Sequence, residues 1–379
     1  MQTAANALVV LQVLPALETG GVERGTVEMA AAITGAGGRA LVASAGGRMV
    51  AEVERAGARH LTLSLRSKNP LTIWRNAARL TTLIRAEGVR IVHARSRAPA
   101  WSAWLAARRT GAHFLTTWHG VYGEDLPLKR HYNAIMARGE RVIAISRYVA
   151  RQVVERHGVD PARLRVIPRG VDPLIFDPAR VTPERVTQLA RGWGLAPERK
   201  VVMLPGRLTE WKGQGVMIEA LARLGGEACL VLVGPEKGGG AYARRLRRQA
   251  AALGVGDRVV FAGRCDDMPA ALALADVVVV PSVKPEPFGR VVVEAQAMGK
   301  PVIVTDQGGA AETVAAGETG WRVPPADPAA LAEAVAAALA LDEAGRSALG
   351  AAARGAVLAR YTTQAMQQAT LAVYRELLA

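Results

Sequence analysis

The sequence predicts an α/β protein made of two doubly wound, parallel-sheet domains facing each other across a cleft. Short β-branched apolar runs alternate with stretches of helical periodicity, the pattern of parallel sheets covered on both faces. The alternation comes in two successive series, broken once at RVIPRGVDPLIFDPARVTPE (165–184), a segment rich in Pro, Asp and Arg. The hinge is placed there, giving a first domain over 1–172 and a second over 173–360. The length of 379 residues suits two or three domains.

In the first series ALVVLQVL (7–14), RALVAS (39–44), RIVHA (90–94), HFLTTW (113–118) and RVIAIS (141–146) read as buried strands. Between them VERGTVEMAAAIT, NPLTIWRNAARLTTLIRAEG and YVARQVVERHG have helical spacing. In the second series KVVMLPG (200–206), ACLVLVG (228–234), RVVFAG (258–263), VVVVPS (277–282) and PVIVT (301–305) repeat the strand pattern. The last segment, TTQAMQQATLAVYRELL within 361–379, reads as one long helix that packs back on the first domain.

Composition narrows the function classes. The apolar fraction is 50% but the aromatic fraction is 4%, so the cores are built from Ala, Val and Leu. Two cysteines, Cys229 and Cys265, exclude a disulfide framework and a cysteine zinc site, and fit a reducing compartment. No apolar run approaches the ~20 residues of a membrane span. The opening MQTAANALVVLQVLPALETGG lacks a basic n-region, so no signal peptide is expected. Residues 1–169 carry 25 Lys+Arg against 11 Asp+Glu, a net of +14, while the remainder carries 23 against 22, a net of +1. Such asymmetry suits an anionic partner, either phosphate groups or an acidic lipid surface, or is simply a solvated basic surface. Nucleic acid is not expected, because no recognised binding motif is present.

Ligands of open α/β sheets sit beyond the carboxyl ends of the strands, so the strand-to-helix loops carry the candidates. In PALETGGVER, Gly20 and Gly21 precede a helix, where they allow either close approach to an anion or a tight turn. The loop is not G-x-G-x-x-G, which argues against a dinucleotide site. In PGRLTEWKGQGVMIEAL, Arg207 leaves a strand end and Lys212 follows five residues later, just before a helix. Two cations there suit a diphosphate, the Arg as a fork and the Lys as a point charge.

In KPEPFGRVVVEAQAMG (284–299), Pro287 fits the first helical position, which makes Glu286 the N-cap. A glutamate is longer than a cap needs and can reach hydroxyl groups. Gly289 and Arg290 would offer N–H groups at the positive end of the helix dipole. Glu294 stands among Val291, Val292, Val293 and Ala295, where a carboxylate needs partners, either ribose hydroxyls or a neighbouring cation. In TTWHGVYGED, His119 stands at a strand end in the basic half.

Taken together, these residues resemble the retaining glycosyltransferases of family 4, which have the GT-B fold. The likeness runs over nearly the whole chain. It rests on Glu286-PFGRVVV-Glu294 (E-x7-E), on Gly20, Gly21 and Glu23 (GGxE), and on AIS (144–146) and IPRGVD (167–172). Arg207 with Lys212, ADVVVVPS (275–282) and GKPVIVTDQGGAAE (299–312) complete it. The resemblance implies that Arg207 and Lys212 hold the donor diphosphate and that Glu294 binds the ribose. Glu286 would contact the donor sugar, helped by the backbone of Phe288, Gly289 and Arg290. Gly20 and Gly21 would close the phosphate end from the other domain, His119 would lie near the anomeric centre and the sugar 6-position, and Arg264 would frame the base. Tyr122, Ser146 and Arg169 would stand on the acceptor side. Two positions depart from the family pattern: Arg169 replaces a common Asn, which bears on the acceptor site, and Arg290 replaces an apolar residue, which bears on donor sugar identity.

The implied reaction is retaining transfer of a hexosyl group from a UDP- or GDP-sugar, by a front-face route through an oxocarbenium-like state. Metal and cofactor are not expected, because cations stabilise the leaving diphosphate. The expected acceptor is a lipid-linked saccharide such as a lipopolysaccharide core. The expected location is the cytoplasm, peripheral on the inner face of the membrane and drawn to its anionic surface. RSKNPLTIWRNAARLTTLIR reads either as a membrane contact with Trp74 at the interface or as an ordinary helix packing Ile73, Leu80 and Ile84 on the sheet. The rival readings are a GT-B epimerase or phosphorylase, a nicotinamide dehydrogenase, and a non-enzymatic sugar-binding protein.

Overall fold

The computed structural model describes residues 8–379 except 19, 227, 237 and 238, together with all of their side chains but that of residue 127. Residues 1–7, which include the start of the expected first strand and the start of the segment read for a leader, lie outside the described residues. The chain divides into two compact units: unit 1 is Met1–Arg169 with Thr363–Ala379, and unit 2 is Gly170–Thr362.

Among the described residues, unit 1 holds a seven-stranded parallel sheet. Its strands are β1 (Val9–Val13), β2 (Arg39–Ser44), β3 (Arg59–Thr62), β4 (Ile91–Ala94), β5 (His113–Trp118), β6 (Arg141–Ala144) and β7 (Leu164–Val166). They lie in the order β3-β2-β1-β4-β5-β6-β7. The central strands β1 and β4 are buried along their whole length, as expected where helices cover both faces. The helices Gly21–Gly35, Pro70–Glu87, Arg97–Thr110 and Arg147–His157 follow strands β1, β3, β4 and β6. Asn69 caps the second of these by accepting from the Leu71 and Thr72 N–H groups, with Pro70 at the first helical position.

Unit 2 repeats the plan with β8 (Val201–Pro205), β9 (Cys229–Val233), β10 (Val259–Gly263), β11 (Val277–Val280), β12 (Val302–Thr305) and β13 (Trp321–Val323). Their order is β10-β9-β8-β11-β12-β13, again all parallel among the described residues. The core between this sheet and its helices is aliphatic: Val202, Leu204, Leu221, Leu230, Leu232, Val279, Ile303 and Val335 are each at most 1% exposed.

The structure adds three strands to the expected set, β3, β7 and β13. All three are short and only partly buried, so they carry no apolar run to betray them. The expected hinge segment therefore begins inside β7, and it ends as the helix Pro183–Gly192 starts. The final helix, Thr363–Leu378, belongs to unit 1. Its Met366, Leu371, Tyr374 and Leu377 join Met29 and Ile33 of the helix Gly21–Gly35 in one core, and Gln367 Nε2 donates to the Glu28 carbonyl at 2.7 Å. No helix among the described residues is long and apolar enough to cross a membrane.

Candidate functional site

In unit 2, β8 and β11 lie side by side while their connections run to opposite edges of the sheet. The loops beyond their carboxyl ends diverge at that point, which makes it the natural ligand position of such a sheet. The sequence places Arg207 and Lys212 on one of these loops, and Ser282 and Glu286 on the other.

The two loops are tied together. The Val283 N–H donates to the Trp211 carbonyl at 2.9 Å. Gly213 has φ +77°, and a Cβ there would stand 1.9 Å from the Pro281 carbonyl oxygen, so only glycine permits the contact. Lys212 Nζ then reaches Glu286 Oε1 at 2.5 Å, and Ser282 Oγ donates to the same oxygen at 2.6 Å. Glu286 is 5% exposed. Both donors meet Oε1, and Oε2 has no donor among the described residues. The Lys212 ammonium also lies 4.4 Å from the centre of the Trp211 ring.

The loop after β12 completes the frame. Thr305 Oγ1 and Gln307 Nε2 donate to the Ser282 carbonyl at 2.9 and 2.8 Å, and the Gly309 N–H donates to the Glu286 carbonyl at 2.6 Å.

This pairing corrects the expected helix start. Glu286 is not an N-cap: it forms a parallel bridge with Gly308. The helix is Arg290–Ala297, and its N-cap is Gly289, at φ +81°. Pro287 and Phe288 make the bend between bridge and helix. Phe288 is buried and meets the Tyr361 ring at 5.9 Å.

Glu294 is largely buried on this helix and lies 3.5 Å from Arg290 Nε, one turn away. The residue that departs from the family pattern is therefore an ion-pair partner of the second glutamate. The Arg207 side chain is exposed, with no partner among the described residues, and its carbonyl accepts from Gln214 Nε2 at 3.0 Å. Arg264 pairs with Asp266 at 2.6 Å, while Asp267 takes Arg185 as a fork at 2.7 and 2.9 Å. Arg185 holds the Asp267 carboxyl below its ordinary range.

Unit 1 gathers a second polar cluster at its strand ends. Arg95 follows β4, beside β1 where the strand order reverses, and is 2% exposed. Its Nη1 donates to Gln12 Oε1 at 3.0 Å, and Gln12 Nε2 donates to the Thr26 carbonyl at 3.1 Å. His93 bonds Tyr374 Oη through Nδ1 at 2.8 Å and Thr117 Oγ1 through Nε2 at 2.7 Å. His119, after β5, meets Arg169, after β7: Arg169 Nη2 donates to His119 Nδ1 at 2.6 Å. Burial, and then the charges of Arg169 and Arg95, push the His119 imidazole well below its ordinary pKa. Burial and the same two arginines do likewise for His93.

Of the residues expected on the acceptor side, Arg169 is 5% exposed and bound to His119. Ser146 is 2% exposed and caps the helix Arg147–His157, its Oγ accepting from the Val149 N–H at 3.1 Å. The Tyr122 ring lies 3.9 Å from the Arg97 guanidinium and 5.1 Å from the Trp118 ring centre. Burial raises the Tyr122 phenol to about 12, with Arg97 opposing. Gly20 precedes the helix Gly21–Gly35, and the Glu23 carboxylate folds back to within 2.6 Å of where a Gly20 Cβ would be. A groove of about 580 Å³ in unit 1, lined by Glu124, Arg130, His131, Ala134, Arg156 and His157, shares no residue with the His119 cluster.

Sequence reasoning missed Ser282, Gln12, His93 and Arg95. Three of them had a signal, a polar residue inside or ending an apolar strand, which is costly unless bonded. Arg95 had none.

Two family profiles match adjacent parts of the chain: "Glycosyltransferase Family 4" over residues 19–173 and "Glycosyl transferases group 1" over residues 187–355. A crystal structure of a glycosyltransferase from Rickettsia africae is 36% identical, with a TM-score of 0.92, covering 98% of this chain and 99% of that one. Anabaena Alr3699/HepE, in complex with UDP and glucose, is 25% identical with a TM-score of 0.84, covering 97% and 99%. Mycobacterium tuberculosis D-inositol 3-phosphate glycosyltransferase is 33% identical over 261 residues, 64% of this chain and 53% of the relative. The chain thus spans about half the length of the curated relatives it matches. The two profile matches and the full-length likeness to the Rickettsia glycosyltransferase establish that this chain belongs to family 4 of the glycosyltransferases, with the GT-B fold.

Proposed function

We propose that this protein is a retaining hexosyltransferase that takes its sugar from a nucleoside-diphosphate donor and works without a metal ion. The carrying observation is the Lys212–Glu286–Ser282 cluster on the two diverging loops of unit 2. Glu286 presents Oε2 to sugar hydroxyls, while Lys212 and the exposed Arg207 guanidinium face the diphosphate. As the glycosidic bond breaks, negative charge grows on the leaving phosphate, and the two cations, Lys212 held by Glu286, stabilise it. That phosphate then takes the acceptor proton. Glu294 receives the ribose hydroxyls, and Arg290 lies 3.5 Å from its carboxylate. In unit 1, His119 serves the sugar. A uridine nucleotide is the favoured donor base, supported by the UDP bound to the Anabaena protein.

The acceptor is proposed to be a lipid-linked saccharide of the lipopolysaccharide-core kind, reached from the cytoplasmic face of an anionic membrane. Leu71 and Trp74 are 56% and 57% exposed on the first turns of the helix Pro70–Glu87, whose Leu80 and Ile84 pack inward. Arg109 lies 6.0 Å from the Trp74 ring, and Arg75 and Arg79 share the helix. Each such cation near an anionic bilayer is worth about 1 kcal/mol. A soluble phosphorylated polyol is the second reading, favoured by the name of the mycobacterial relatives.

Calorimetry with UDP, GDP and ADP, without metal, tests the donor reading. One nucleotide should bind the native protein and bind Glu294→Ala more weakly. Binding of none, or equal binding to both proteins, overturns it. Flotation with anionic liposomes at low salt tests the acceptor side: failure to float with the vesicles removes the membrane reading and leaves the soluble one.

A further inference from the structure

We propose that Arg169 is a positioning residue that locks His119 as a single neutral tautomer, with its proton on Nε2. A guanidinium has donors only. The 2.6 Å contact between Arg169 Nη2 and His119 Nδ1 therefore requires a lone pair on Nδ1. Nδ1 cannot carry a proton, so the neutral ring must carry its proton on Nε2. Nε2 is buried and has no partner among the described residues. The ring thus offers one N–H donor, aimed by Arg169 and committed to no group among the described residues.

The surroundings reinforce the lock. Three charged or titratable groups reach His119, from two strands: Arg169 after β7, Arg95 after β4, and His93 within β4. Glu28 and Tyr374, from the two helices packed nearby, act on Arg95. Two guanidinium groups beside the ring oppose a second proton, and burial does the same. Arg169 itself is 5% exposed and also touches Met366 Sδ at 3.6 Å. Its space comes from Gly25, where a Cβ would fall 2.2 Å from Arg169 Nη1 and 2.9 Å from Arg95 Nη2. Gly25 lies inside the helix Gly21–Gly35, a place where Ala would be preferred by propensity alone. The glycine there is explained by the arginine it admits.

On the reading that His119 serves the transferred sugar, the Nε2–H donates to a ligand oxygen, and burial with the two arginines favours the neutral ring that carries it. An asparagine at position 169 would be shorter and carry no charge, so it would supply neither the reach nor the repulsion.

The test is nitrogen NMR of the full chain labelled with ¹⁵N-histidine, with His119 assigned by its loss in His119→Gln. In the native protein His119 should show an unprotonated Nδ1 and a protonated Nε2, unchanged from pH 8 down to about 5. In Arg169→Met the ring should mix tautomers and titrate closer to the ordinary value of 6.5. Gly25→Ala, which leaves both residues in the chain, should shift the same signals by displacing Arg169. Arg169→Lys, which keeps the charge, serves if Arg169→Met does not fold. It should keep the ring neutral while loosening its orientation. A protonated Nδ1 in the native protein, or equal titration of His119 with and without Arg169, overturns the proposal. Turnover of UDP-glucose separates this from the functional reading. Loss of the orienting group should lower kcat by about tenfold or more with little change in KM for the donor. If the lock is present but turnover ignores both Arg169→Met and His119→Gln, the role assigned to His119 fails and the lock stands.

Discussion

Lys212 and Glu286 form an ion pair at 2.5 Å that joins the loop after β8 to the loop after β11, with Ser282 donating to the same carboxylate oxygen. Two of the proposed donor-binding groups, Lys212 and Glu286, are therefore held in place before any donor arrives. This preorganisation has a measurable cost when one partner is lost. Lys212→Ala leaves Glu286 buried with only Ser282 to support its charge, and should destabilise the protein by about 3 kcal/mol. Lys212→Ala combined with Glu286→Gln should recover most of that. Urea denaturation of the single and double variants checks it, and a double variant no more stable than Lys212→Ala would show that the two residues are not coupled.

Glu294 shares its helix with Arg290, 3.5 Å away, so its substitution alone does not distinguish ligand from ion pair. Comparing UDP with 2′-deoxy-UDP does. The native protein should bind UDP at least about tenfold more tightly than the deoxy nucleotide, the scale of one hydrogen bond to a charged group. Glu294→Ala should bind both alike. A preference that survives in the variant places the ribose elsewhere.

Gly213 makes the backbone contact that brings the two loops together. Gly213→Ala must move the loop, because the offending atom is the Pro281 carbonyl oxygen and the φ of +77° is itself strained for alanine. A stability loss of about 2 kcal/mol or more is expected, with weaker nucleotide binding because Lys212 moves with the loop. Thermal unfolding and calorimetry on this variant give the two numbers. Native-like values for both would show that the contact is dispensable.

His93 is fully buried, bonded at both ring nitrogens and pushed well below its ordinary pKa of 6.5 by burial, Arg95 and Arg169. The unfolded chain takes up a proton there below pH 6.5, whereas the folded protein does not. Stability should therefore fall as pH drops below 6.5, by up to about 1.4 kcal/mol per pH unit from this residue alone. His93→Gln should flatten that slope in a series of unfolding curves from pH 7.5 to 5, whatever it does to stability at neutral pH. An unchanged slope would put the pH dependence in other groups.

The two sheets were legible in the sequence because their central strands are buried on both faces and so appear as mostly Val, Leu and Ile runs. Strands β3, β7 and β13 escaped for the opposite reason, since an edge position demands no such run. Glu286 and Lys212 stood out by residue type and by place at strand ends, but their mutual contact depends on the packing of Gly213 on Pro281, which no local pattern announces. The N-cap assignment failed at Glu286 for a related reason. Pro287 suits a helix start, yet the bridge between Glu286 and Gly308 holds the chain extended there and delays the helix to Arg290. Arg169 was noticed as an unusual residue, but its partner His119 lies 50 positions earlier. Such a pairing becomes visible only when β5 and β7 share a sheet.

The return of the helix Thr363–Leu378 to unit 1 also sets an order of assembly. Unit 2 is one uninterrupted piece of chain, Gly170–Thr362, and can finish folding during synthesis as soon as it has emerged. Unit 1 cannot. His93 waits for the Tyr374 hydroxyl, and Met29 and Ile33 wait for Met366 and Leu377, until the whole of the second unit has been translated. At about 5–20 residues per second that interval lasts on the order of 10–40 s. Throughout it the newborn first unit, which carries most of the excess positive charge, keeps an open apolar seam.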